Sequence, residues 1–349
     1  MKKYLNKALL YYWFNSTRTM LLLGMLLWGC FANGILNSLY YHAMNNLSGL
    51  NGNNFCTAGL EQYFILGIIF LGIYFMASGI NKRNTNMFLS SGPYTKQQIK
   101  YNELICFFIT LGIFVLTYIY IGITFYIRNK ERLSILNGYS TILTVEVIKI
   151  IIFGIIGILF MLIIDSLFSN NTISVIFMMV FPISFICCIL QRIDRYVFMW
   201  INNVVQKEFI PKDIRNSKFH ALIDGWVDVS EIRMRNVFIG ACILLIVVGI
   251  LLVILNICQR KNSLETNIKF FASKWSEKVI TVYLAVVSGI IINGLIFKDY
   301  RDNLYYYGEP IKLEIKKFIT ILGTDIVISA VLGIISYIII KKLLKKFSY

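Results

Sequence analysis

The chain has 349 residues, of which 57% are hydrophobic, 15% aromatic and only 15% charged. A soluble domain carries about 25% charged residues, so a soluble globular protein is excluded and a polytopic membrane protein is the class that fits. The net charge of +16 does not point to nucleic acid, because the basic residues cap the ends of apolar runs instead of forming one patch or stripe.

From the N-terminus, Tyr4, Leu5, Ala8, Leu9 and Tyr12 recur on one helical face, flanked by Lys3 and Lys7. That pattern predicts an amphipathic helix over 1–18 lying in the membrane interface, its cations toward anionic lipid headgroups. Eight apolar runs follow: Thr19–Tyr40, Gln62–Ile80, Glu103–Ile127, Val145–Phe168, Ile173–Leu190, Val237–Ile257, Val279–Phe297 and Phe318–Ile340. Each is long enough to cross a hydrocarbon core of about 30 Å as a helix. The first is too long for the apolar region of a cleavable signal, so it is expected to anchor. A tight polar turn, Ser169-Asn170-Asn171-Thr172, joins the fourth and fifth runs, and Pro182 is expected to kink the fifth. The expected fold is all-α, with about eight transmembrane helices forming a single transmembrane domain over 1–349.

Charge placement orients these spans. With a cytoplasmic N-terminus, one side of the membrane carries 17 basic residues and two acidic ones, Glu265 and Glu277. The other side carries 16 basic and 12 acidic residues, most of them in the longer loops 191–236 and 298–317. Short loops rich in Lys and Arg stay inside, whereas long loops translocate largely regardless of charge. Both termini and the loops 81–100 and 258–278 are therefore expected in the cytoplasm of a cell-membrane protein. Arg128, Lys130 and Arg132, facing outward, run against the bias.

Few residues invite chemistry. Glu103, Glu146, Lys149, Asp165 and Asp325 fall inside spans, where charge is costly and functional by default. Glu103, Glu146 and Asp165 lie near span ends, within reach of headgroups, and Glu146 pairs with Lys149 at a spacing of i, i+3. Asp325 lies two turns in and is the best candidate for a cavity-lining acid, with pairing to a structural partner the stronger reading. His220, Asp224 and Asp228 would line one face of a continuous helix with metal-ligand chemistry, but Gly225 interrupts it, and a solvated face is the better reading. The seven cysteines show no zinc-type spacing. No Gly-x-x-x-x-Gly-Lys-[Ser/Thr] phosphate cradle exists, so the chain is expected to have neither cofactor nor catalytic site. Any ATP that drives it must be hydrolysed by another chain.

The loop 81–100 stands apart. It holds four basic residues and no acidic one, and Met87-Phe88-Leu89 forms an apolar knob within it. The turn Ser91-Gly92-Pro93 predicts a helix start, with Ser91 or Gly92 at the N-cap and Pro93 at the first helical position. The helix then runs into the third span without a breaker. The stretch Asn86-Met-Phe-Leu-Ser-Ser-Gly-Pro-Tyr-Thr-Lys-Gln-Gln-Ile resembles the first cytoplasmic loop of type-2 ABC exporter permeases from low-GC Gram-positive bacteria. The second cytoplasmic loop is similar to one branch of those permeases, with Arg260 and Glu265 at an Arg-x-x-x-x-Glu segment, although Thr266 and Asn267 replace the family's small residues.

The resemblance implies a permease subunit that pairs with a second permease, itself or a sibling, and with separate ABC ATPase subunits. It also implies an elbow helix at 1–18. The coupling interface would comprise Arg83, Met87, Phe88, Leu89, Ser91, Pro93, Lys96, Arg260 and Glu265. The alternatives are a membrane-embedded enzyme for lipid-linked substrates and a non-transporting membrane scaffold or sensor.

Overall fold

The computed structural model describes residues 6–49, 52–78, 88, 89, 91–200, 204, 218–261, 271–296 and 314–347. Its main helices are α1 (Lys7–Ser48), α2 (Phe64–Ser78), α3 (Lys96–Arg128), α4 (Tyr139–Leu167), α5 (Asn171–Ser184), α6 (Gln191–Met199), α7 (Met234–Lys261), α8 (Lys274–Ile296) and α9 (Ile315–Phe347). Eight helical segments are long and apolar enough to cross a membrane, with α5 and α6 contributing to one of them. Exposed apolar stripes run along several, such as Leu245, Ile246, Ile250 and Val253 on α7 and Ile319, Ile326, Ile334 and Ile338 on α9. Contiguous apolar surface of this extent belongs against lipid. The protein is an all-α, multi-pass membrane protein.

Three element boundaries differ from expectation, each for a local reason. The interfacial helix expected over 1–18 is not separate, because α1 runs unbroken for 42 residues. At 1.5 Å per residue this is about 63 Å, twice the hydrocarbon thickness. Of the expected apolar face, Leu9 is buried whereas Ala8 and Tyr12 are exposed; the neighbouring Trp13 is also buried and meets Phe107 of α3 edge-on at 5.3 Å. Asn6 closes the start, its side chain accepting from Ala8 N at 2.9 Å and its N–H donating to Asn102 Oδ1 at 3.1 Å.

The start of α3 also moves. Ser91 and Gly92 do not cap it, and Pro93 is not its first residue; Thr95 is the N-cap and Lys96 leads the helix. Thr95 Oγ1 accepts from Gln98 N at 3.3 Å while Thr95 N donates to Gln98 Oε1 at 3.0 Å. This reciprocal capping box satisfies two backbone donors at once and outcompetes a proline start.

The fifth span continues past Leu190. Pro182 sits inside α5, a π-helical stretch follows at Phe185–Leu190, and α6 carries on to Met199. Proline supplies no backbone N–H, and one wider turn after it accommodates the disturbed ladder without ending the helix.

The chain forms two compact units, Met1–Ile163 with Lys212–Gln259, and Ile164–Pro211 with Arg260–Tyr349. In the first, α1 packs on α2 and α3 around Trp28, Ile73, Tyr74, Phe107, Phe114 and Tyr118, all fully buried. Trp28 Nε1 donates to Phe114 O at 2.9 Å, which places a polar bond in the middle of that core. In the second, α8 and α9 lie along each other so closely that a Cβ at Gly289 would stand 2.6 Å from Ser329 O and 2.8 Å from Gly333 N. Helices in lipid associate through such close backbone approach, because lipid tails are as apolar as the helix faces.

Candidate functional site

Polar structure within the first unit begins with three connections that meet at one end. Asn137 N donates to Asn53 O at 2.7 Å and Phe55 N to Asn137 O at 3.1 Å, while Val229 N donates to Phe55 O at 2.8 Å. Thr57 N donates to Val227 O at 2.9 Å, and Trp226 N to Thr57 O at 2.7 Å. The extended segment 53–58 is thus sandwiched between the connections that follow the third and fifth spans. Spans that alternate in direction put these three connections on one face of the membrane. Trp226 adopts a left-handed backbone, φ 61°, held by that hydrogen bond and by stacking on His42 at 4.4 Å.

Beneath this cap lies a buried ion pair. Glu146 and Lys149 are 0% and 1% exposed, so Glu146 does not reach out toward headgroups as its position near a span end suggested. Its Oε1 accepts from Ala58 N at 2.9 Å and its Oε2 from the Tyr63 hydroxyl. Lys149 Nζ donates to Ala58 O at 2.6 Å and to Glu146 Oε1 at 3.2 Å. Both polar groups of one backbone residue are therefore held by two charges from α4. Satisfied on this many sides, the pair stays inside the protein and fixes the cap to α4.

Cys56, in the same segment, is buried. Burial first, then the nearby carboxylates of Asp228 and Glu231, pushes its thiol up to about 11. Only the thiolate reacts with alkylating agents, so Cys56 should resist N-ethylmaleimide at pH 7.5 in the folded protein and react after denaturation. Peptide mass spectrometry reads this directly, and rapid labelling of Cys56 in the folded protein would contradict the closed cap.

In the second unit, Asp325 is paired. Arg192 of α6 meets it with two donors, Nε to Oδ2 at 2.9 Å and Nη2 to Oδ1. Asn293 Nδ2 of α8 donates to Asp325 Oδ1 at 2.9 Å and to Ser329 Oγ at 2.6 Å. Three helices thus contribute to one polar cluster in an apolar setting. Sequence reasoning placed Arg192 in an outer loop and missed it. The signal was present, because Ile193, Tyr196 and Val197 continue a helical spacing past Leu190. Asn293, a lone amide in an apolar run, offered no comparable sign.

Of the nine expected coupling residues, Phe88, Leu89, Ser91, Pro93 and Lys96 fall on or beside the start of α3. Phe88 and Leu89 are helical, and Phe88 is 73% exposed. Ser91 Oγ donates to Phe88 O at 2.8 Å, closing that turn. Pro93 is exposed in the turn before the Thr95 cap, and Arg260 is exposed near the end of α7. Arg83, Met87 and Glu265 lie outside the described residues, and Lys96 is placed as the first residue of α3. His220 and Asp224 pair at 2.8 Å, whereas Asp228 turns away to accept from Ser230 N at 2.7 Å; the helix ends at Ile223.

Set against family models, curated proteins and solved structures, the chain finds no match in any of the three.

Proposed function

We propose that this chain is the permease subunit of an ABC exporter-type complex in the cell membrane, working with a second permease and with separate ATPase subunits. One observation carries the reading: an exposed Phe88 on a short helical turn, joined through a capped turn to a single 33-residue helix that crosses the membrane. An aromatic side chain left in water beside a basic loop fits a partner's groove. ATP-driven closure of the ATPases would press on this turn. The unbroken α3 would then carry the displacement inward as a rigid-body motion. The chain has no nucleotide cradle of its own, so the hydrolysing site belongs to the partner.

Phe88→Ala and Lys96→Glu test the contact. Burying a large apolar side chain is worth roughly 1.5–3 kcal/mol, and losing a central interface contact can weaken binding by tens of fold. A basic residue in the first helical turn is poorly matched to the helix dipole and is better explained by an acidic partner surface. Both variants should reach the membrane like the parent, while copurified ATPase and its ATP turnover fall. Parental behaviour by both would remove the main support for the permease reading.

Orientation follows from the basic excess. Cysteines introduced at Asn84 and Asn216, in a background without native cysteines, should label with an impermeant reagent in whole cells only at Asn216. Labelling at Asn84 alone would invert the arrangement.

A further inference from the structure

Within the first unit, α1 and the start of α2 leave a groove of about 410 Å³ between them. Its walls are Phe31 and Ile35 from α1 and Ile65 and Ile68 from α2. At Gly34 the groove is open, since an added Cβ would meet nothing within 4 Å. One end is polar, where Glu61 and Gln62 sit on the helical turn Leu60–Tyr63 that leads into α2. From Glu61 to Ile68 the helical rise is about 10 Å, enough for a headgroup at one end and the upper part of an acyl chain along the rest.

The chemistry of the polar end selects the headgroup. Glu61 is exposed and offers carboxylate oxygens. Its carboxylate accepts hydrogen bonds and disfavours an anion. A primary ammonium brings positive charge and three N–H donors; a quaternary choline brings charge without N–H. We infer that the groove holds an ethanolamine phospholipid, its ammonium at the Glu61 carboxylate and one acyl chain along Phe31, Ile35, Ile65 and Ile68. This needs only that the chain spans a bilayer, and it stands whether or not the chain is a permease.

The test uses the full-length protein in nanodiscs of phosphatidylglycerol doped with equal small shares of ethanolamine and choline phospholipids bearing the same acyl chains. After gentle detergent release, native mass spectrometry counts the lipid retained. The parent should keep the ethanolamine lipid over the choline lipid by roughly threefold to tenfold, the preference expected of one partly exposed charge-assisted contact. Glu61→Gln removes the charge without changing shape and should bring the two toward parity. Gly34→Leu fills the groove, favours the helix and should lower retention of both. Parity in the parent, preferential retention of phosphatidylglycerol, or a preference that survives both substitutions would overturn the assignment.

Discussion

Lys149→Met is expected to destabilise the protein by about 3–5 kcal/mol, the range for breaking a buried ion pair by removing one partner. The variant leaves the Glu146 carboxylate, 0% exposed, without its counter-charge, and strips the donor from Ala58 O. A charge stranded there costs more than the pair contributes, because the net worth of a buried pair is small once desolvation is counted. The double variant Glu146→Gln with Lys149→Met separates the two effects. The amide that replaces the Glu146 carboxylate can accept from Ala58 N at its oxygen and donate from its nitrogen to the Tyr63 hydroxyl oxygen, and no charge remains. Only the Ala58 carbonyl is left unsatisfied, a cost of about 1–3 kcal/mol. The double variant should therefore be more stable than the single one. Thermal unfolding of purified protein in detergent, with membrane yield as a companion measure, gives the order. A single variant as stable as the parent would mean that the cap is not held by this pair.

How much of this was legible in the sequence depends on range. Spans were legible because length and apolar content decide them, and a bilayer permits few alternatives for the backbone. The pairing of Glu146 with Lys149 was legible because i, i+3 geometry is local. Their attachment to Ala58, 88 residues from Glu146, was not, since nothing near either residue announces the other. The same limit hid the partner of Asp325, which lies 133 residues away on α6. The start of α3 was a different kind of miss. Two local signals competed, Ser91-Gly92-Pro93 and Thr95-Lys96-Gln97-Gln98, and the second won because it satisfies donors reciprocally. At the N-terminus the sequence pointed to a helix, but not to the burial of Leu9 and Trp13, because Phe107, which meets Trp13, is far away in the chain.

Asp325→Ala should cost about 2–4 kcal/mol, somewhat less than the Lys149 change, because this pair is partly open: the side chains of Arg192 and Asp325 are 15% and 9% exposed. Water at the edge of the cluster screens the orphaned guanidinium and lowers the penalty of a fully buried charge. Asn293 adds to the loss, since its amide would keep Ser329 but lose Asp325 Oδ1. A double-mutant cycle isolates the pair. Arg192→Met, Asp325→Leu and their combination should show a coupling of about 1–3 kcal/mol, with the double variant regaining most of the stability lost by either alone. The cycle also decides what Asp325 is for. A carboxylate whose role is to hold α6 against α9 can be replaced by a well-packed apolar pair, and the double variant should then keep both stability and the ATP turnover of the proposed complex. A carboxylate that handles cargo or protons in a cavity cannot, and turnover would be lost while stability is kept. The bidentate grip of Arg192, with Asn293 on the remaining side, favours the first outcome; a stable but inactive double variant would return Asp325 to the role of a cavity acid.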